Sequence, residues 1–450
     1  MKSDSPNRNP RLACVSAALV TMLAAMPAAR AESLQELFEA ARGFDAAYLA
    51  VRAQTDSAEH RTNQSYALRR PGVNLAGSVG RTRTDPPPSQ LNPTGAVIHT
   101  DTRGFTVNAR QPLFNRPNDA TIEQSERALD VALADLSVAE QDLVVRLAQA
   151  YFDVLAAEDV LAAAQAAKKA ITEQLASAKR NFEVGTATIT DQREAQARFD
   201  LATAQELAAE NDLRVKRLAL DQLVGRTGVQ PNKLAQPVAL PPVAPDTLDP
   251  WVERAQSDNP NVRRAALARE IARLETDKAR AGHLPTLDLV GSVGPQRQIN
   301  NDQGGTTSTR SIGVQLAVPL YSGHATQNRI KETLALEEKA LNDWSNAQRT
   351  LAQAARAAFL GVQSGQAQVK ALEAAEASSR LALEATQTGY RVGLRVNVDV
   401  LNAQTQLFQT QRDLAIARYN VLLGTLRLKQ AAGQVSVADL AGLDGLLVRR

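Results

Sequence analysis

One uninterrupted helical segment limits what this chain can fold into. Residues 118–184 contain neither proline nor glycine, the two residues that most often end helices. At 1.5 Å per residue such a helix is roughly 100 Å long, several times the width of a compact domain. Apolar residues recur at alternating steps of four and three from Leu129 to Phe182. This sustained 3.5-residue period predicts a coiled coil rather than a helix of a globular core.

The chain is an internal duplication. Two halves align at a separation of about 208 residues. The matched pairs are Phe182-Glu-Val-Gly185 with Tyr390-Arg-Val-Gly393, Asp191 with Asp399, Gly225 with Gly433, and Gly77-Ser-Val-Gly80 with Gly291-Ser-Val-Gly294. A period this long indicates two copies of one large unit rather than a solenoid.

Each unit is predicted to contain a pair of strands followed by a long helical hairpin. The first repeat spans residues 32–230, with strands at about 72–83 and 102–113 and a hairpin at 117–225. The second spans 251–440, with strands at about 286–295 and 310–321 and a hairpin at 324–433. A proline-rich connector, 231–250, separates the repeats, and residues 441–450 form a C-terminal tail.

The strand candidates alternate apolar and polar residues with period two. In Ser311–Leu320, for example, the even positions are apolar and most odd positions are polar or small. This pattern suits soluble hairpins with one wet face. It suits equally the strands of a membrane barrel, which need about ten residues to span the bilayer.

Residues 1–31 are predicted to be a cleaved signal peptide. A basic start precedes the apolar run Leu12–Met26 and the small-x-small pattern Ala29-Arg30-Ala31. Without this leader the chain has 47 basic and 47 acidic side chains, and it loses its only cysteine, Cys14. A general nucleic-acid binder needs a basic surplus, so no nucleic-acid partner is expected. No later segment approaches 18 consecutive apolar residues, so we expect the mature chain to enter a membrane only through strands.

Four strands cannot close a barrel, because about eight is the smallest number that does. An open sheet in lipid would leave unpaired backbone groups at both edges. If the strands enter a membrane, the chain must therefore oligomerise. Two copies would give eight strands and three would give twelve, and the count of twelve is favoured if a lumen must stay open.

The order of elements and the turn motifs resemble those of the TolC family of trimeric outer-membrane channels. The residues that carry the resemblance are Phe182–Asp191, Gly389–Leu401, Gly282–Leu289 and Ala417–Asn420. The resemblance implies a membrane α+β fold, a homotrimer with a 12-stranded outer-membrane β-barrel on a 12-helix periplasmic α-barrel. It also implies a Gram-negative outer-membrane location and contact with outer-membrane lipid. The expected partners are a periplasmic adaptor (membrane fusion) protein and an inner-membrane ABC or RND transporter.

The same resemblance implies a passive exit duct for type I protein secretion, drug efflux or both, gated at its periplasmic end. The residues that match the family's gate are Thr190, Asp191, Tyr390, Arg395 and Asp399. By the resemblance, Asp191 of the first hairpin would contact Tyr390 of the second, Thr190 would contact Arg395, and these contacts would hold the entrance shut. Those that match the tip expected to contact the adaptor are Gly185, Thr186, Gly393 and Leu394. Asp399 would form a ring of three carboxylates. The family's second acidic ring falls on Asn402, a departure that predicts weak block of the channel by cations.

Nothing in the sequence indicates an enzyme. The four histidines share no metal-ligand spacing, and no catalytic set or phosphate-binding loop occurs in a credible context. We therefore expect no cofactor and no metal. The alternative function is a periplasmic coiled-coil adaptor of an export system, although an adaptor has one hairpin and lacks duplicated strand pairs. A secreted structural coiled coil is a third possibility, which the alternating strands disfavour.

Overall fold

The computed structural model describes residues 33–88, 90, 93–235, 238, 240–300 and 303–448, so the predicted signal peptide lies outside the described residues. The first half contains α1 (Leu34–Phe44), α2 (Ala46–Ser65), β1 (Gly72–Thr84), β2 (Ile98–Phe114), α3 (Arg116–Glu183) and α4 (Ile189–Val224). The second half contains α5 (Asp249–Ser257), α6 (Pro260–Ala281), β3 (Thr286–Asn300), β4 (Gln303–Ala317), α7 (Ala325–Arg391), α8 (Asn397–Ala431) and α9 (Val437–Asp444).

The four strands form one antiparallel sheet in the order β1-β2-β3-β4. The two repeats meet at β2 and β3, where Val107 lies opposite Val293 and Thr100 opposite Asn300. β1 and β4 are the edges of the sheet. All four strands join the helices at the same end, so the β1–β2 and β3–β4 connections lie at the far, distal end.

The second strand pair differs from its predicted bounds. β3 and β4 remain paired up to Asn300 and Gln303, so residues between the two predicted strands, including Gly304 and Gly305, continue the ladder. At the other end β4 stops at Ala317 instead of residue 321, since Pro319 has no N–H to donate to a ladder. The C-terminal tail also differs, because α9 extends across the predicted boundary at residue 441.

Each long helix packs against two shorter ones placed end to end. α2 and α4 lie along the two halves of α3, and α6 and α8 lie along the two halves of α7. Buried threonines fix the first of these contacts. Thr55 donates its hydroxyl to the Ala132 carbonyl (3.2 Å), and Thr62 donates to the Ser125 carbonyl (2.9 Å).

A hydrophobic core surrounds the middle of α3, and we call this region the waist. It includes residues 143–157 of α3 and residues 419–426 of α8, together with parts of α1, α4 and α9. The Tyr151 hydroxyl accepts from the Asn232 N–H (2.7 Å), which ties the connector to α3. The Tyr419 hydroxyl donates to Asp159 (2.7 Å), which joins the second repeat to the first. The waist thus joins both repeats into one body.

Within the described part of the chain, no helix is both long and apolar enough to cross a membrane.

Candidate functional site

The two hairpins end in turns with the same backbone. Gly185 has φ of 78° and Gly393 has φ of 79°, a left-handed conformation that favours glycine. In each turn the glycine N–H donates three residues back, to Phe182 (3.0 Å) or to Tyr390 (3.1 Å). We call residues 184–188 the first tip and residues 392–396 the second tip. The duplicated sequence motif therefore folds into a duplicated turn.

The first tip satisfies its own polar groups. The Thr188 hydroxyl accepts from the Asp191 N–H (3.2 Å), and the Asp191 carboxylate accepts from the Thr188 N–H (3.0 Å) and hydroxyl (2.8 Å). This reciprocal capping box stabilises the start of α4. Thr190 lies beside it in the first turn of α4 and is exposed. Asp191 is thus held within its own turn.

The second tip lacks such a cap. Val396 stands at the N-cap position of α8, where it offers no side-chain hydrogen bond. Asp399 instead forms an ion pair with Arg395 (3.6 Å), and 34% of its side chain is exposed. Arg395 also lies against Gly389, whose missing Cβ leaves room for it. Arg395 and Asp399 are brought together, and the second carboxylate remains partly available to solvent.

Three side-chain hydrogen bonds join the two hairpins near the tips. The Asn181 amide donates to the Tyr390 hydroxyl (3.4 Å). The Gln174 amide donates to the buried Asn397. The Arg198 guanidinium donates to the Asn402 amide oxygen (2.9 Å). Gln174, Asn181, Arg198 and Asn397 were not among the predicted site residues, because the sequence does not reveal which helix of one hairpin lies against the other.

The expected gate contacts are not formed within one chain. Among the described residues, no hydrogen bond or ion pair joins Asp191 to Tyr390 or Thr190 to Arg395. Contacts between these residues of the first and second hairpins in the assembled protein stay a prediction.

The predicted adaptor-contact residues lie at the extreme ends of the hairpins. Gly185, Thr186, Gly393 and Leu394 are all exposed, and Leu394 is 82% exposed. At and beside the tips, further apolar side chains are exposed, namely Val184, Ile189, Val392 and Val396. An exposed apolar cluster of this kind is typical of a surface that contacts a protein partner.

The sheet has one apolar and one polar face, because residues paired across strands project to the same side. The apolar face includes Val73, Leu75, Val79, Phe105, Val107, Val293, Ile312, Val314 and Leu316. The polar face includes Asn74, Ser78, Thr82, Thr102, Thr106, Asn108, Ser292, Gln296, Gln298, Thr307, Thr309 and Ser311. Nearly every apolar member is exposed in the single chain, including Val79 and Ile312, each at 82%.

No group of three or more His, Cys, Asp or Glu side chains in the described ranges could hold a metal ion. His283 lies between the end of α6 and the start of β3, where its N–H donates to the Arg280 carbonyl (3.2 Å). The arrangement at the tips can form hydrogen bonds and ion pairs, and it places carboxylates near a hairpin end.

A family model described as "Outer membrane efflux protein" matches residues 37–226 and 251–434. The two matched segments correspond to the two repeats. The outer membrane protein TolC of Vibrio cholerae is 32% identical over 441 residues, covering 97% of this chain and 98% of that protein. The alkaline protease secretion protein AprF of Pseudomonas aeruginosa is 32% identical, covering 74% and 70% respectively.

Solved structures have the same fold. The CmeC outer membrane channel of Campylobacter jejuni superposes with a TM-score of 0.79 at 17% identity, covering 92% of this chain and 89% of that one. The outer membrane protein VceC of Vibrio cholerae gives a TM-score of 0.76 at 19% identity, covering 89% and 96%.

These comparisons confirm the resemblance drawn from the turn motifs and the expected outer-membrane location, with a periplasmic helical tunnel. They do not favour the periplasmic adaptor, and the fold is that of channel proteins rather than of enzymes. The chain belongs to the outer membrane efflux protein family, whose members form exit ducts across the outer membrane.

Proposed function

We propose that three copies of this chain assemble into a passive conduit. Their sheets join edge to edge into a barrel of about twelve strands in the outer membrane. Their hairpins form a periplasmic tunnel of twelve helices, gated at the tips. The mature chain begins after the signal peptide, residues 1–31, and each copy contributes both repeats.

The observation that carries this proposal is the sheet. β1 and β4 are both unpaired edges within one chain, and the apolar face is exposed along its length. Unpaired strand edges are not tolerated in lipid, whereas pairing β4 of one copy with β1 of the next removes every edge. The polar face, rich in Asn, Ser, Thr and Gln, then lines a wet lumen.

The helices support the same assembly. Sixteen residues of α3 are buried in the single chain but only six of α7, although the two helices are nearly equal in length. α7 therefore has a long surface that neighbouring copies can cover.

We infer that the tips receive a periplasmic adaptor that links the tunnel to an inner-membrane ABC or RND transporter. The exposed apolar side chains at both tips support this inference. The relative in Pseudomonas aeruginosa is a protease secretion protein and the family is named for efflux, so both type I secretion and drug efflux fit. The conduit is passive and needs no cofactor, and the transporter supplies the energy for export.

Cysteine pairs on the edge strands test the assembly directly. The only natural cysteine, Cys14, is removed with the leader. Asn74→Cys on β1 combined with Ser311→Cys, Thr309→Cys or Thr307→Cys on β4 should give disulfide-linked trimers for one of the three pairs. Asn108→Cys in place of Asn74→Cys is the matched control. It lies on the same face but between β1 and β3, so it cannot reach another copy.

The purified protein should also conduct ions in planar bilayers. A folded monomer by native mass spectrometry, with no edge-to-edge cross-link and no conductance, would contradict the proposal.

A further inference from the structure

Two arginines lie directly opposite each other on the apolar face of the sheet. Arg103 on β2 and Arg297 on β3 are register partners, and both are exposed. Like charges at directly opposed positions of an antiparallel pair destabilise a sheet. Neither guanidinium has an ion-paired or hydrogen-bonded partner among the residues that the structure describes. Asp101 acts on Arg103 only at longer range, because its carboxylate is already hydrogen-bonded to Arg81. Neither guanidinium therefore has a direct acidic partner.

The Arg103–Arg297 pair differs from Arg81, a neighbouring arginine on the same face of the sheet. Arg81 forms two hydrogen bonds with Asp101, at 2.6 and 2.9 Å, so this pair neutralises itself. A third unpaired arginine, Arg310, lies opposite Val293 and nearer the helices, and has no second arginine beside it. Only at Arg103 and Arg297, within the described sheet, do two free guanidinium groups meet.

A hollow opens beside the two arginines. It has a volume of about 480 Å³. Its wall includes the apolar side chains of Val79, Phe105 and Pro295, and Gly77 leaves space where another residue would project. Phe105 is 53% exposed and Val79 is 82% exposed. The site thus combines an apolar surface for a hydrocarbon chain with two charged donors.

Arg103 and Arg297 lie equally far from the end of the sheet that joins the helices. Arg297 lies eleven residues beyond Thr286, the first residue of β3, and Arg103 lies eleven residues before Phe114, the last residue of β2. A tilted strand needs about 9–11 residues to cross the hydrocarbon of a bilayer. Both arginines therefore reach the level of the headgroups at the distal, outer side.

We propose that Arg103 and Arg297 together bind the phosphate of a phosphorylated lipid of the outer leaflet. Arginine donates paired hydrogen bonds to phosphate oxygens, and a dianionic group between the two guanidinium groups removes their repulsion. One acyl chain of the same lipid lies along Val79, Phe105 and Pro295. The site rests on the proposed function, since it requires the apolar face to contact lipid.

Native mass spectrometry of the detergent-purified full chain tests this site, with diphosphorylated lipid A as the probe. The protein should retain the lipid, and Arg103→Gln with Arg297→Gln should weaken binding about tenfold, because two charge-assisted contacts are lost. Arg310→Gln, which removes one positive charge from the same face, should bind as the parent does. The dephosphorylated form of the same lipid should bind weakly to all of them.

Inorganic phosphate distinguishes a lipid from a free anion. It should fail to displace the lipid at millimolar concentration, because it lacks the acyl chain that contacts Phe105. Displacement would show a simple anion site and overturn the proposal, as would equal lipid retention by the double variant and the parent. Such a result in a protein that still forms conducting trimers refutes the lipid site alone, whereas loss of trimers in the parent refutes the proposed function.

Discussion

The first and second tips share a backbone but differ in chemistry. Gly185 and Gly393 have nearly equal φ angles, and the hydrogen bonds around them repeat with little change. Yet Thr188 closes the first tip with a capping box, whereas Val396 at the equivalent position cannot. Asp191 is consequently occupied within its own turn, and Asp399 is shared with Arg395 at 3.6 Å.

The two tips therefore differ in role, although the duplication alone would predict the same role for both. The first tip is a self-contained structural cap, and the second presents a carboxylate and a guanidinium to its surroundings. A gate needs groups that can exchange partners, so we infer that the second hairpin contributes more to gating than the first. The predictions below test this asymmetry.

The largest expected effect comes from removing polar groups of the second hairpin at and beside its tip. Tyr390→Phe with Arg395→Ser removes the acceptor for Asn181 and the partner of Asp399. A neutral hydrogen bond contributes roughly 1 kcal/mol, and each contact occurs three times in a trimer. Single-channel conductance in a planar bilayer should therefore rise severalfold.

The control for this change is Arg391→Ser, since Arg391 donates to Thr388 within its own helix. Its conductance should equal that of the parent. Asp191→Asn should also conduct as the parent does. If Asp191→Asn opens the channel as widely as the double variant, the asymmetry between the tips is wrong.

A second effect concerns block by multivalent cations. Asp399→Ala should remove the remaining block, because it removes the carboxylate ring of the second hairpin. Asn402→Asp should strengthen block only slightly, since Arg198 lies 2.9 Å from the Asn402 amide oxygen and would neutralise a carboxylate there. Arg198→Gln combined with Asn402→Asp should give strong block, because the field of two acidic rings then acts on the lumen.

Bilayer recordings with a trivalent cation on the periplasmic side measure this block. Equal block in the Asn402→Asp channel and in the Arg198→Gln/Asn402→Asp channel would show that Arg198 does not compensate position 402.

A smaller effect follows from giving the second tip the cap of the first. Val396 has φ and ψ of −96° and 162°, close to the −87° and 159° of Thr188, so threonine fits at position 396 without strain. Val396→Thr should form a capping box with Asp399, stabilise the start of α8 by about 1 kcal/mol and draw Asp399 away from Arg395.

Two measurements detect this change, namely slower amide hydrogen exchange at the start of α8 and weaker cation block. Val396→Ala serves as the comparison because it also replaces the valine but adds no hydroxyl. Should threonine and alanine act alike, capping does not control Asp399.

Periodicity in the sequence predicted the hairpins, the strand faces and the turns, because each depends on residues close together in the chain. It did not predict the burial of the waist. The 3.5-residue pattern indicates a single buried seam along α3, but Val144, Val145, Ala148 and Phe152 lie outside that seam and are buried. α1, α8 and α9 surround this part of α3, and their approach depends on contacts distant in sequence.

At the site, the sequence predicted where the tips lie but not which partners their side chains have. The duplication located both tips and equated Asp191 with Asp399. One substitution, threonine at 188 against valine at 396, gives the two carboxylates different partners. The links through Gln174, Asn181 and Arg198 depend on how one hairpin lies against the other, which no local pattern encodes.

The smallest expected effect on conductance comes from changes at the waist. The waist joins the two repeats, whereas the two tips differ from each other in chemistry. Tyr419 in α8 donates to Asp159 in α3 at 2.7 Å. Burial raises the pKa of the Asp159 carboxyl above its usual range, and the hydrogen bond from Tyr419 opposes this rise. The folded pKa of Asp159 therefore exceeds its unfolded pKa. As the pH rises from the unfolded to the folded pKa, the protein loses stability, because Asp159 becomes a buried anion. The hydrogen bond from the Tyr419 hydroxyl contributes most to stability above the folded pKa of Asp159, where the carboxylate is ionised.

Tyr419→Phe should leave single-channel conductance unchanged, since the waist is remote from the tips. It should lower the free energy of local opening by about 2 kcal/mol at a pH where Asp159 is ionised, and by less where it is protonated. Amide hydrogen exchange in α3, the helix that both Tyr419 and Tyr66 contact, measures this difference at two pH values. Tyr66→Phe is the matched control, because Tyr66 donates to Glu126 at the same distance of 2.7 Å but at an exposed position. An equal loss in both variants, or a loss independent of pH, would mean that burial of Asp159 does not make this joint stronger than a surface contact.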